Sequence, residues 1–330
     1  MKKDNFEISN EWKPSNDYKY TILPIISMHP DRESTFHIQL EQGYVDHTMY
    51  PFLPGIMVYL HDVHATSIPV ESSLYDEDLF IINYCIAGRC EFRVSDSIYR
   101  YVRENYTSIG SLTISDLFYY PSDYYLGFEI YIYPKQFTEE TRSILHRFHI
   151  DIEQLYKKYN NKENLTILET TPQIQRLWME LYHTKSPDPG LISLNVLKIL
   201  YHLSNQQTII PASSSYLTQN HAKLAKEVHD ILSADLSRHI SMREISGQTR
   251  VSETSLKNYF STMFGMTVSE YMRNLRLQKA SELLTSTNLP VSEISSICGY
   301  SNQGRFAKVF KEYHGMHPLE YRHSQKKDSR

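Results

Sequence analysis

The sequence predicts an α+β protein of two domains, in which an antiparallel β domain with following helices precedes an all-helical domain. The length of 330 residues is typical of two domains. Short runs rich in Tyr, Ile, Val and Phe fill the first part, and a helical repeat fills the last third. Residues 1–220 carry a formal charge of −9 and residues 221–330 carry +5, so the two parts have different chemistry.

The first domain is predicted over residues 1–205, with its strands between about residues 20 and 134. The runs that indicate strands include Gly55–Leu60, Leu79–Ala87 and Glu129–Tyr133. Gly88-Arg89 lies between two such runs and predicts a hairpin turn. The pattern is that of an antiparallel sandwich or small barrel.

Residues 135–205 change to a helical period. Apolar residues recur at helical spacing near the end of this segment, at Leu191, Leu194, Val196, Leu197, Leu200 and Leu203. This helix either packs on the β domain or forms a dimer contact, and the sequence leaves both interpretations open. The polar run Gln206–Ser215, which contains Pro211, predicts a linker over 206–220.

The last third of the chain contains an internal repeat. Gly265-Met266 recurs as Gly315-Met316, and Glu270-Tyr271 as Glu320-Tyr321. Two apolar quartets with i, i+3, i+4, i+7 spacing predict buried helix faces, namely Leu256, Tyr259, Phe260 and Met263, then Phe306, Val309, Phe310 and Tyr313. Farther upstream Glu244-Ile245 recurs as Glu293-Ile294, at an offset of 49 rather than 50, which predicts one extra residue in or just after the second turn.

Each copy therefore predicts a short helix, a tight turn and a longer helix, with Ser252 and Ser301 as N-caps. This is a helix-turn-helix unit, whose second helix fits the DNA major groove. A continuous helix from Thr267 to about Thr285 is predicted between the copies, with two apolar stripes that face different directions. Nineteen residues span roughly 28 Å, close to the ~34 Å between major-groove segments on one side of DNA.

Residues 221–323 resemble the DNA-binding domain of the AraC family of bacterial transcriptional regulators. The segments that carry the resemblance are Ser252–Phe260, Arg276–Leu284, Ile294–Lys311 and Gly315–Arg322. The resemblance implies a DNA-binding domain over 221–325 and an upstream sensing domain, often a cupin-like barrel followed by dimerising helices. It also implies RNA polymerase as a partner, and activation as the commoner outcome.

The outward face of the second helix in each helix-turn-helix unit is the expected DNA-binding surface. The residues predicted to bind DNA are Thr254, Lys257, Asn258, Gln303, Arg305, Lys308 and Lys311. Arg250 stands at a turn position where the family usually has Gly or a small polar residue, and Gly304 stands where many members have a base-reaching side chain. Cations on the connecting helix, Arg273, Arg276 and Lys279, can contact phosphates or form internal salt bridges.

The sequence predicts no catalytic residues, no metal site and no cofactor. It has no Gly-rich phosphate loop, no Gly-x-Ser-x-Gly motif and no paired-cysteine zinc set. The pairs His61/His64 and His146/His149 are interpreted as exposed or hydrogen-bonded residues, and Cys85 and Cys90 as buried apolar residues. Without a signal sequence or an apolar span, we expect a cytoplasmic protein.

The expected function is an effector-responsive transcriptional regulator that binds double-stranded DNA as a homodimer. Neither the small-molecule effector nor its binding residues follow from the sequence. The alternative is a regulator with weakened DNA reading that acts by pairing with another regulator, an interpretation that Arg250 and Gly304 motivate. An enzymatic barrel fused to a DNA-binding tail is a third, minor alternative.

Overall fold

A computed structural model describes residues 5–7, 34–69, 79–95, 97–111, 117–159, 165–184, 188–205 and 216–328. The chain divides into two compact units, Met1–Thr218 and Gln219–Arg330. The first is a curled antiparallel β half-barrel with helices, and the second is all-helical. This confirms the predicted fold class. No helix among the described residues has the length and apolar content to cross a membrane.

Twelve strands are described in the first unit. They are β1 Asn5–Glu7, β2 Ser34–Gln39, β3 Tyr44–Leu53, β4 Ile56–His64, β5 Ser67–Pro69, β6 Phe80–Ser95, β7 Ile98–Arg103, β8 Tyr106–Gly110, β9 Leu117–Tyr119, β10 Tyr125–Ile132, β11 Leu165–Glu169 and β12 Tyr216–Thr218. The main order is β1-β2-β3-β4-β10-β6-β7-β12, and β8 also pairs with β6 and β11. All pairings are antiparallel except that of β1 with β2.

The predicted hairpin at Gly88-Arg89 is wrong, because β6 runs through it without a break. Gly88 has a φ of 78°, and a Cβ atom there would lie 2.1 Å from the carbonyl oxygen of Tyr124. Glycine therefore allows a bend and a close approach of two strands. Before the bend β6 pairs with β10, and after it with β7. The sequence signal marked a bend in one strand rather than a chain reversal.

Four helices follow or flank the strands of this unit, namely α1 Glu139–Arg147, α2 Ile152–Tyr159, α3 Pro172–His183 and α4 Pro189–Asn205. They cover one face of the sheet, where Trp178 of α3 stacks on Phe128 and Tyr84 with ring centroids 5.1 and 5.8 Å away. This packing buries the face of the sheet that carries Tyr84 and Phe128.

Helix α4 confirms the helix predicted around residues 191–203 and packs on the β domain through one face. Val196 and Leu200 of the predicted stripe are fully buried in the core of the unit. Leu194 of the same stripe is 55% exposed, and Tyr201, about two turns later, is 44% exposed. Internal packing therefore accounts for one side of α4 and leaves an apolar strip on the other.

The predicted linker covers residues of three kinds. Residues 206–215 lie outside the described residues, whereas 216–218 form β12, which pairs with β7, and α5 starts at Gln219. Leu217 is buried in this pairing. The last five residues of the predicted linker are thus regular structure, since Tyr216-Leu217-Thr218 has strand-forming residues that the polar composition upstream obscured.

The second unit contains seven helices among its described residues. They are α5 Gln219–Ser233, α6 Met242–Thr249, α7 Glu253–Phe264, α8 Val268–Ser286, α9 Val291–Ile297, α10 Gln303–His314 and α11 Pro318–Asp328. Helices α6–α7 and α9–α10 are the two predicted helix-turn-helix pairs, and α8 is the predicted connecting helix of 19 residues. A capping box between Thr267 and Glu270 starts α8 at the expected place.

Candidate nucleic-acid interface

The first turn is set by caps at both of its ends. Ser241 and Glu244 form a capping box that starts α6. Helix α6 ends at Arg250, which has left-handed backbone angles of φ 56° and ψ 28°. Ser252 then caps α7, its side chain accepting a hydrogen bond from the backbone N–H of Ser255. The short path between the two caps turns the chain into the second helix of the pair.

The second turn is one residue longer, as the change of offset predicts. Gly299 takes the left-handed conformation that Arg250 takes in the first copy, with φ 75°. The N-cap is Asn302, whose side chain accepts from the backbone N–H of Arg305 at 2.8 Å. The predicted cap at Ser301 is therefore wrong by one residue, because the extra residue lies between the left-handed position and the cap.

The connecting helix α8 supplies one apolar face to each copy. Tyr271 contacts Phe264 and Phe260 of the first copy, with ring centroids 4.9 and 5.4 Å apart. Leu277 and Leu284 are fully buried in the core of the second copy. This confirms the two predicted stripes, and α8 is thereby a shared wall of both units.

The two predicted buried quartets are confirmed in part: Tyr259 and Val309 are only partly buried, and Tyr313 is exposed. In the first copy Met263 is fully buried, whereas Tyr313 at the equivalent place is 50% exposed. The neighbouring His314 occupies the interior position instead. Its ring lies 4.4 Å from that of Phe310, and its Nε2 lies 2.8 Å from the Ser281 hydroxyl on α8.

Helix α7 presents a polar and nearly neutral face. Thr254, Lys257 and Asn258 are exposed on one side of the helix, opposite the buried Leu256 and Phe260. The Lys257 ammonium lies 3.1 Å from the Glu253 carboxylate, so an ion pair balances its charge. The amide of Asn258 has the donor and acceptor arrangement that pairs with adenine in two hydrogen bonds.

Helix α10 presents a basic face. Gln303, Arg305, Lys308 and Lys311 are all exposed, opposite the buried Phe306 and Phe310. The four share this helix with a single carboxylate, Glu312. Gly304 leaves a gap in the middle of the face, at the position that Thr254 occupies in the first copy. All seven residues predicted to bind DNA therefore lie on exposed faces of the two second helices.

Comparison with known proteins places this region in a family. Residues 245–324 match a family model described as a helix-turn-helix domain. The transcriptional activator RhaR of Enterobacter sp. (strain 638) is 38% identical over 96 residues, which are 29% of this chain and 34% of that protein. RhaR of Yersinia pestis bv. Antiqua is 28% identical over 154 residues, which are 47% of this chain and 52% of the relative. The matched segments thus span about a third to a half of these relatives.

Among solved structures, the C-terminal domain of AraT, a response regulator from Geobacillus stearothermophilus, is 26% identical. The match covers 31% of this chain and 84% of that one, with a TM-score of 0.30. The C-terminal unit is an AraC-type helix-turn-helix domain. The family that its motifs predict is therefore confirmed, and the relatives are named as transcriptional regulators rather than enzymes.

Within the AraC-type domain, the cations of the connecting helix have different surroundings. Arg276 donates to the carbonyl oxygens of Leu236 at 3.0 Å and Arg238 at 3.3 Å, so it holds the loop that precedes α6. Lys279 pairs with Glu282 at 3.0 Å, and Arg273 is exposed. Of the two roles that the sequence left open, Arg276 has an internal one, directed to backbone carbonyls rather than to a carboxylate.

Sequence reasoning missed a buried polar row inside the first unit. His47 on β3 lies opposite His61 on β4, and Glu129 on β10 lies opposite Asn83 on β6. The Nδ1 atoms of the two histidines are in hydrogen-bond contact. His61 Nε2 lies 3.3 Å from Glu129 Oε2, and the Asn83 amide donates to Glu129 Oε1 at 3.1 Å. The four side chains form one chain of contacts across four strands of the sheet.

The contacts of this row favour one tautomer of each histidine. The Glu129 carboxylate, 3.3 Å from His61 Nε2, favours a proton on that nitrogen, which leaves His61 Nδ1 to accept a hydrogen bond from His47 Nδ1. His47 Nε2 is then a buried acceptor, and it has no hydrogen-bond partner among the described residues. A buried acceptor of this kind favours a ligand or a water molecule with a donor to offer.

The pKa values of the row follow from burial and from the neighbours. Burial, and then the proximity of His61, hold the pKa of His47 well below its ordinary value. Burial pushes the pKa of Glu129 upward, but the His61 imidazole and hydrogen bonds from His61, Tyr131 and Asn83 outweigh it and lower the pKa. The row therefore holds a neutral His47 beside a carboxylate at neutral pH.

The histidine and cysteine pairs singled out in the sequence do not form sites. His64 lies 3.0 Å from Asp62 and is only partly buried, while His61 belongs to the polar row. His146 lies in the last turn of α1, and His149 lies beyond that helix. Burial raises the pKa values of the free thiols of Cys85 and Cys90 far above the usual range, so neither is a reactive thiolate. The described residues contain no group of three or more His, Cys, Asp or Glu that can hold a metal ion.

Proposed function

We propose that the protein is a sequence-specific transcriptional regulator that reads two adjacent major-groove segments of double-stranded DNA. The observation that carries the proposal is the pair of exposed, repeat-equivalent faces on α7 and α10. Asn258 and Lys308 occupy the same place in the two copies, and α8 joins the copies as a rigid helix roughly 28 Å long. That length suits two successive groove segments on one side of DNA.

Selection of bound duplexes from a random DNA pool by the full chain tests this function. We expect two short enriched motifs about one helical turn apart. Asn258→Ala and Lys308→Ala each remove one reader, so each should weaken one motif by about 1–3 kcal/mol and spare the other. Lys157→Ala provides a matched control, because Lys157 is an exposed lysine of the first unit that pairs with Glu153.

Absence of any enrichment at low salt would contradict DNA reading and favour the alternative, a regulator that acts by pairing with another protein. Gly304 favours that alternative for the second copy only. Its effect there is limited, because α10 keeps four other polar or basic side chains. Enrichment of one motif instead of two would leave a single reading unit.

The first unit is proposed to sense a small molecule. The buried row of His47, His61, Glu129 and Asn83 supports this, because it leaves the acceptor His47 Nε2 buried and without a hydrogen-bond partner among the described residues. The effector must bind one arrangement of the regulator better than the other in order to change DNA occupancy. A compound that raises the unfolding temperature and also shifts DNA affinity would identify the effector; we expect it to carry a hydrogen-bond donor.

The protein is further proposed to be a homodimer, with α4 as the contact. Leu194 and Tyr201 form an exposed apolar strip on this helix, on the side away from the core. Leu194→Lys places a charge in that strip, so the dissociation constant of the dimer should rise at least tenfold in sedimentation experiments. Leu319→Lys is the control, because Leu319 has a similar exposure of 54% in the other unit. An unchanged dissociation constant in Leu194→Lys would exclude α4 as the interface.

By family resemblance, we propose that the regulator acts in the cytoplasm, contacts RNA polymerase and more often activates than represses. No enzymatic activity is proposed. The relatives that match the chain are named as regulators, which supports this assignment.

A further inference from the structure

Arg250 has a backbone conformation that few residue types adopt. Its φ of 56° lies in the left-handed region. Among the described residues, the other non-glycine positions with positive φ are Asn105, Asp123 and His149. Those three belong to the types that are enriched in this region, whereas arginine is not. A long cationic side chain is thus kept at a position that suits glycine better.

In the second copy, the residue equivalent to Arg250 has a purely structural role. There the left-handed residue is Gly299, enclosed by the carbonyl oxygen of Leu236 and the guanidinium of Arg276. No side chain fits at Gly299. Arg250, in contrast, is exposed, and its guanidinium has no hydrogen bond or ion pair among the described residues. The fold itself therefore gains nothing visible from the arginine.

Helices α7 and α10, the second helix of each helix-turn-helix pair, differ in charge, and this difference points to a role for Arg250 in DNA binding. Helix α10 carries three cations against one carboxylate, whereas on α7 the single cation, Lys257, is neutralised by Glu253 at 3.1 Å. Phosphate contacts fix the register of a protein on DNA. The first copy lacks an uncompensated cation on its second helix, and Arg250 stands two residues before the Ser252 cap, at the N-terminal end that enters the groove.

We propose that Arg250 is the phosphate-binding residue of the first helix-turn-helix unit. Its guanidinium contacts a backbone phosphate at the edge of the groove and so orients α7 for base reading by Thr254 and Asn258. The planar guanidinium suits two hydrogen bonds to phosphate oxygens. The inference rests on the proposed DNA-binding function and deepens it, since it separates positioning from reading within one unit.

Binding of the full chain to DNA at several salt concentrations tests the inference. The probes are a duplex that carries the site selected from a random pool and a second duplex with the same base composition in scrambled order. Arg250→Asn removes the charge and keeps a residue that tolerates the left-handed region. We expect affinity for both duplexes to fall by the same factor, about three- to tenfold at low salt, and the salt slope to decrease by about 0.9.

Two comparison variants make the outcome decisive. Arg250→Lys keeps the charge and should keep the salt slope, while Arg250→Gly should raise the unfolding temperature and yet weaken DNA binding. If Arg250→Asn keeps wild-type affinity and slope while Lys308→Ala lowers both, the inference is wrong and DNA binding stands. Loss on the selected duplex alone would make Arg250 a base reader, which also overturns it. A wild-type chain that binds neither duplex overturns the proposed function itself.

Discussion

Gly299→Ala should destabilise the AraC-type domain by about 2–4 kcal/mol. An L-residue in the left-handed region costs roughly 1–2 kcal/mol by itself. In addition, the new Cβ atom would lie 2.3 Å from the Leu236 carbonyl oxygen, which is backbone and has little freedom to move. The same oxygen accepts from Arg276 at 3.0 Å, so displacing it also disturbs the connecting helix.

The expected damage extends to both copies because Gly299 lies where they meet. The loop with Leu236 precedes α6 of the first copy, and the Gly299 carbonyl oxygen lies 3.2 Å from His239 Nε2 in that loop. The measurement is the free energy of unfolding from chemical denaturation, followed by a probe in the C-terminal unit. DNA affinity should fall together with stability, for both enriched motifs.

Gly247→Ala provides the control for this substitution. Gly247 lies in α6, and a Cβ atom there would meet no atom within 4 Å. Alanine in an exposed helix should raise stability by about 0.5–1 kcal/mol. A loss of stability in Gly247→Ala, or an unchanged stability in Gly299→Ala, would contradict the assigned role of the second turn.

The repeat made the second unit predictable at nearly residue level. Two copies constrain each other, so the apolar positions of α7 and α10 and the extra turn residue could be derived by comparison, while the stripes of α8 followed from their change of phase. The errors were local. Asn302 replaces Ser301 as the cap because both residue types can cap, and Tyr313 is exposed while the adjacent, partly buried His314 packs against Phe310.

The first unit was predictable only as a class. Its strands have no repeat to fix their pairing, and Gly88 shows that a glycine between two apolar runs can bend one strand as well as end it. The polar row could not be found in this way, since His47, His61 and Glu129 come together only through the register of β3, β4 and β10. The signal available in the sequence was the presence of polar residues, such as His61 and Glu129, within otherwise apolar strands.

Acidification should destabilise the first unit through His47. The folded state keeps the pKa of His47 well below the value near 6.5 of an unfolded histidine, chiefly by burial. As the pH falls below 6.5, His47 therefore binds a proton in the unfolded chain but not in the folded chain, and the free energy of unfolding decreases. One such group costs up to about 2 kcal/mol between pH 7 and pH 5. This stability is fully present above pH 6.5.

Glu129 continues the same trend at lower pH. Its folded pKa is below the ordinary value, so the stability that it contributes is present above pH ~4.5 and is lost as the pH falls through the folded pKa. The contribution of His47 is measured from the free energy of unfolding of wild type and of His47→Gln between pH 8 and pH 4.5. Glutamine cannot take up the proton, so the decline between pH 7 and pH 5 should become shallower by about 1 kcal/mol per pH unit on average.

His37→Gln separates this effect from the general acid sensitivity of the chain. His37 lies on the neighbouring strand β2 with its side chain 48% exposed, next to Asp46. Its replacement removes one histidine and leaves the polar row intact, so the slope of His47→Gln is compared with the slope of this variant as well as with that of wild type. Equal slopes in His47→Gln and wild type would mean that another group takes up the proton. Because the pKa of folded His47 lies well below 6.5, a ligand that donates to His47 Nε2 should keep its affinity for the folded unit through the range in which the unit loses stability, and should lose affinity only at lower pH.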